Sequence, residues 1–147
     1  MKLREPMPEL SGATEWLNGK VTKEQLIGEK PTLLHFWSIS CHVCKEAMPQ
    51  VNQSRDHYRA KINIVAIHMP ILEDNLNIVD IEKIATEHSI FHPIFVDSKK
   101  KLTNAFENKY VPAYYLFDKE GKLRHFQAGA SGMRMLEERV SRIVSVY

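Results

Sequence analysis

The chain has 147 residues, with 20 Lys and Arg against 18 Asp and Glu and a formal net charge of +2. That length supports one hydrophobic core without a disulfide framework, so a single domain over residues 1–147 is expected. The scattered charges lack the Lys and Arg clusters of nucleic-acid or membrane-surface proteins, and no apolar run approaches the roughly 18 residues of a membrane span. No nucleic-acid or membrane partner is therefore expected.

The N-terminus, Met1-Lys2-Leu3-Arg4-Glu5-Pro6-Met7-Pro8, has basic residues with no apolar segment behind them, which gives the expectation of a cytoplasmic location. Thr32 to Trp37 is short, apolar and aromatic, and reads as a buried strand introduced by Pro31. Cys41 to about Arg59 reads as a helix, and Ile62 to His68 as a second strand closed by Pro70. Beyond a polar loop, Asp80 to Ala85 predicts a short helix with Asp80 as N-cap. Pro93 to Asp97 predicts a brief strand and Leu102 to Phe106 a short helix, with Lys99-Lys100-Lys101 as its solvated start. Ala113–Asp118 and Leu123–Gln127 flank Lys119-Glu120-Gly121-Lys122 as a hairpin. Met133, Leu136, Val140, Ile143, Val144 and Tyr147 form the apolar face of a closing helix. Strand–helix alternation followed by a hairpin and a helix implies an α/β sandwich with a mixed sheet.

There are only two cysteines, Cys41 and Cys44. A strand that ends at Trp37 delivers Cys41 to the first turn of a helix, where unpaired N–H groups and the helix dipole favour negative charge. The thiol pKa falls from about 8.5 toward 7 in such a place. Cys41 is then the attacking thiolate, and Cys44, one turn along, the thiol that resolves the mixed disulfide. His42 lies between them; protonated, it stabilises the thiolate, or else it is a solvent-facing residue of the first turn. The competing use of the pair is as soft metal ligands or as a redox-sensing thiol module. Structural zinc takes four ligands, however, and there is no second Cys-x-x-Cys. His35 and His68, the histidines available to complete a site, fall within strand-like segments, so neither a metal nor a cofactor is expected.

Phe36-Trp37-Ser38-Ile39-Ser40-Cys41-His42-Val43-Cys44-Lys45-Glu46-Ala47-Met48-Pro49, with Tyr110-Val111-Pro112-Ala113-Tyr114-Tyr115-Leu116-Phe117-Asp118 far downstream, resembles the thioredoxin superfamily. The closest likeness is to its TlpA/ResA branch of thiol–disulfide oxidoreductases. The resemblance implies a thioredoxin-like three-layer sandwich and the reduction of disulfide-containing protein substrates, with electrons from an upstream reductant such as a thioredoxin system. It implies that Pro112 is a cis-proline facing the cysteines and that the Val111 backbone pairs with the substrate peptide. It also implies that Trp37 packs behind the active-site loop, that Pro49 kinks the helix, and that Gly129 lies at the groove rim. Met69 to His92 resembles the helix-bearing insertion of the branch.

Four departures from related patterns qualify the resemblance. His35 stands where thioredoxins bury an acid; it is either a proton relay to Cys44 or a core histidine satisfied by a backbone carbonyl, and the second is preferred. Ala47 stands where the branch often has Glu, with Glu46 moved to another helix face. His-Val replaces Gly-Pro between the cysteines. A peroxidatic cysteine would have Pro seven and Thr or Ser three residues before it; Ser38 fits, but Leu34 holds the Pro position.

Overall fold

A computed structural model describes residues 1–146. Its elements follow the chain as β1 (Glu15–Leu17), α1 (Lys23–Leu26), β2 (Thr32–Trp37), α2 (His42–His57), β3 (Asn63–His68), a 3-10 turn (Glu73–Leu76), α3 (Ile78–Glu87), β4 (Ile94–Val96), α4 (Lys101–Phe106), β5 (Ala113–Phe117), β6 (Leu123–Ala128) and α5 (Met133–Val146). β1 and α1 were not anticipated, since three and four residues are too few for a periodicity to show. α1 is fixed instead by a capping box. Thr22 Oγ1 accepts the Gln25 N–H at 3.2 Å, and Gln25 Oε1 accepts the Thr22 N–H at 2.8 Å.

The strands form one six-stranded sheet in the order β1-β4-β3-β2-β5-β6. β2 runs parallel to β3 and β3 to β4, whereas β1, β5 and β6 join antiparallel. The sheet is therefore mixed, as expected. Every residue of β2 is buried because the strand is central and covered on both faces. Alternation sends Leu33 and Trp37 to one face, with Cys44, Met48, Ile81, Leu136 and Val140, and Leu34 and Phe36 to the other, with Leu102, Phe106 and Phe117. Helices α2, α3 and α5 thus contribute to one outer layer and α1 and α4 to the other, giving three layers.

Three helix starts differ from expectation. α2 begins at His42, with Cys41 as its N-cap. α3 begins at Ile78, not Asp80: its N-cap is Asn77, whose side chain accepts the Val79 N–H at 2.9 Å. Asp80 lies inside the first turn, where its charge faces the positive end of the helix dipole. Lys99 and Lys100 form an exposed turn into α4, which starts one residue early at Lys101. On α5, Met133, Leu136, Val140 and Val144 are buried and Ile143 is half-buried; Tyr147 lies outside the described residues.

Candidate active site

β2 ends at Trp37, and Ser38-Ile39-Ser40 carries the chain over the sheet edge to Cys41. The Cys41 N–H donates to the Ser38 carbonyl at 3.1 Å, which closes a tight turn and places Cys41 at the head of α2. Cys41 and Cys44 are joined as a disulfide, with Cα atoms 5.3 Å apart. The Cys44 N–H points at Cys41 Sγ from 3.2 Å. A first-turn amide thus faces the sulfur, as required to stabilise a thiolate there. Cys41 retains 7 % exposure and Cys44 only 1 %, so Cys41 is the more accessible of the two.

Across from the pair the Val111–Pro112 peptide bond is cis, and the Val111 carbonyl oxygen lies 3.8 Å from Cys41 Sγ. The loop before it is braced from β5: the Tyr115 hydroxyl donates to Asn108 Oδ1, and Asn108 Nδ2 donates to the Tyr110 carbonyl, each at 2.8 Å. Burial pushes the Tyr115 pKa up to about 12, which keeps that hydroxyl a donor. The Pro112 carbonyl accepts the Gly129 N–H at 2.8 Å, and Gly129 has φ +88°, a left-handed conformation that suits glycine. Gly129 is therefore adjacent to the cis-proline.

His42 is 83 % exposed, and its Nε2 lies 2.6 Å from Glu46 Oε1, one turn along α2. Any field it exerts on Cys41 is offset by that carboxylate and screened by water.

His35 is buried, but its partner is not a backbone carbonyl. Its Nε2 lies 2.8 Å from Nε2 of His92, whose Nδ1 lies 3.3 Å from an Arg55 guanidinium nitrogen. Arginine only donates, so His92 Nδ1 accepts, His92 Nε2 carries the hydrogen and donates to His35, and His35 holds its own proton on Nδ1. Burial, with the Arg55 charge second, lowers the His35 pKa to about 3, and burial with the His35 and Arg55 charges lowers that of His92. Both rings are neutral near pH 7.

Trp37 is fully covered, in the same cluster as both cysteines, and meets the His68 ring edge-on at 5.1 Å between centroids. His68 Nε2 accepts the Ile39 N–H at 3.2 Å, and burial lowers its pKa to about 4. No hydrogen-bond partner for Trp37 Nε1 or His68 Nδ1 is found among the described residues.

Residues 3–126 match the AhpC/TSA family. The chain belongs to the AhpC/TSA family. It is 68 % identical over 145 residues to the thiol-disulfide oxidoreductase YkuV of Bacillus subtilis, covering 99 % of this chain and 98 % of that protein. It is 30 % identical over 101 residues to the thiol-disulfide oxidoreductase ResA of Geobacillus thermodenitrificans, spanning 68 % of this chain but 55 % of ResA. Among solved structures, a thioredoxin-like protein in its oxidized form, determined in solution, superposes with a TM-score of 0.92 at 68 % identity. That match covers 99 % of this chain and 98 % of the other. The fold is thus thioredoxin-like, and the chain is a thiol–disulfide oxidoreductase homologue with a Cys-x-x-Cys pair at disulfide distance.

Within that family the chain carries Leu34 seven residues before Cys41 and a second cysteine three residues after it. Cys41, Cys44, Val111, Pro112, Trp37 and His42 converge on one end of the sheet. His35 lies on the same sheet face, but its Nε2 bond runs to His92, which in turn bonds Arg55. Sequence reading missed His92, Arg55 and Asn75. His92 and Arg55 lie 57 and 20 positions from His35, and no local pattern marks them. Asn75 sits in a polar loop; its one signal is its fit to the Ser38-x-Ser40 hydroxyls, which only the fold reveals.

Proposed function

We propose that this chain reduces protein disulfides in the cytoplasm, as a member of the TlpA/ResA branch acting as one domain over its whole length. The Cys41 thiolate attacks one sulfur of a substrate disulfide, forms a mixed disulfide and expels the other substrate sulfur as a thiolate. The Cys44 thiolate then attacks Cys41 Sγ, closing the Cys41–Cys44 disulfide and releasing the second substrate thiol. Two electrons pass to the substrate, and an upstream dithiol, such as a thioredoxin system, returns them. The Val111 carbonyl takes a backbone N–H of the substrate beside its cysteine, a short strand addition, and Pro112 holds that edge in place.

The observation that carries this reading is the Cys41–Cys44 disulfide at the head of α2, with a first-turn N–H aimed at the more exposed sulfur. The absence of any helix long and apolar enough to cross a membrane, among the described residues, agrees with the proposed location. Insulin reduction with dithiothreitol as donor tests the assignment. Cys41→Ser should be inactive, and Cys44→Ser should attack without releasing product. Turnover by Cys44→Ser at the wild-type rate would contradict it.

A further inference from the structure

Four donors meet on one oxygen beside the active-site loop. Asn75 Oδ1 accepts the Ser40 hydroxyl at 2.8 Å, the Ile71 and Leu72 N–H groups at 3.0 Å each, and the Ser38 hydroxyl at 3.1 Å. The two backbone donors fix the amide orientation, since Nδ2 cannot accept. Asn75 is 3 % exposed, although Leu76 in the same 3-10 turn and Leu72 just before it are more than half exposed. Its side chain is thus turned inward from a surface turn and ties that turn to Ser38 and Ser40. Ile39, between the two serines, is held by His68. Every residue between the end of β2 and Cys41 is therefore bonded to Asn75 or His68.

We propose that Asn75 is a positioning residue for Cys41, acting through Ser38 and Ser40. The inference rests on Cys41 being the attacking thiol. In the oxidised protein the S–S bond itself fixes Cys41 Sγ. Reduction removes that constraint, and Cys41 is the N-cap: its carbonyl accepts the Lys45 N–H at 3.3 Å, but its own N–H donates outside α2, to the Ser38 carbonyl at 3.1 Å. What then keeps its sulfur over the Cys44 N–H is the segment before it. Loss of the Asn75 bonds acts on the reduced form: the thiolate spends less time against its donor, the thiol pKa rises, and attack at neutral pH slows.

The test is alkylation of Cys41 by iodoacetamide against pH, in the full chain with Cys44→Ser to isolate one thiol, alongside thermal melting. Asn75→Ala should raise the alkylation midpoint by about half a pH unit, with a rate lower by about two- to threefold near neutrality. Ser38→Ala/Ser40→Ala should raise it similarly, and adding Asn75→Ala to that pair should raise it no further, because the hydroxyls it acts through are gone. A lower melting temperature with an unchanged midpoint would make Asn75 merely structural and overturn the proposal, as would full additivity in the triple variant. If Asn75→Ala does not fold, the serine pair decides alone, and an unchanged midpoint there overturns it. A parent midpoint at or above about 8.5 would instead refute the activation of Cys41 itself, a separate failure.

Discussion

His42 Nε2 and Glu46 Oε1 lie 2.6 Å apart on the outer face of α2, beside the disulfide. Only interactions that differ between dithiol and disulfide move a reduction potential, and only the dithiol contains a thiolate. A cation beside Cys41 stabilises the reduced form and raises the potential; an anion lowers it. With His42 protonated the two partners oppose each other, so His42→Gly should then lower the potential and Glu46→Gln should raise it. Each shift should be on the order of 10 mV, because exposed charges are screened. Equilibration against a glutathione series measures both, and shifts of the same sign would contradict the opposed fields. The pairing of Cys41 with Cys44 was legible in their spacing, whereas the places of Val111, Pro112 and Trp37 followed only from the resemblance of their segments to the thioredoxin superfamily. The partner of His35 was not legible: a backbone carbonyl was expected, whereas the structure supplies His92 from the far end of the α3–β4 connection.

α4 shows how an element depends on one residue outside it. Its first residues lie beside Lys100 in a left-handed conformation with no side-chain cap. Asp97 caps the helix instead: its carboxylate accepts the Leu102 N–H at 3.1 Å and both the N–H and hydroxyl of Thr103 at 2.7 Å. Asp97 is fully buried, so its removal leaves three donors short of an acceptor. Asp97→Ala should cost about 2–4 kcal/mol in urea unfolding, and a loss below about 0.5 kcal/mol would show that water replaces the carboxylate. Sequence periodicity revealed the central strands and long helices because their buried faces repeat. It misplaced the start of α3, where β-branched Ile78 and Val79 in the first turn obscure the Asn77 cap, and it missed β1, which is held by pairing with β4.

The molecule as a whole carries three neutral histidines in its interior, His35, His68 and His92, all with lowered pKa. Above about pH 6.5 they are unprotonated in both folded and unfolded chains and do not affect stability. Below that, the unfolded chain takes up protons that the folded chain refuses, down to about pH 4 for His68 and about pH 3 for His35. Stability should therefore fall with acidification from about pH 6.5, by up to about 1.4 kcal/mol per pH unit for each histidine. A urea midpoint that is unchanged between pH 7.5 and pH 5 would contradict this. All three histidines lie on or beside the sheet against which the disulfide-bearing helix α2 packs, so burial in this core sets the acid limit of the molecule. The central claim, exchange through Cys41 with resolution by Cys44, is tested most directly by mass spectrometry of reduced protein mixed with an oxidised protein substrate and quenched in acid. Wild type should convert to the Cys41–Cys44 disulfide with one substrate disulfide opened per molecule, and Cys44→Ser should accumulate a single adduct on Cys41. A wild-type dithiol that persists beside excess substrate, or an absence of adduct in Cys44→Ser, would contradict the account.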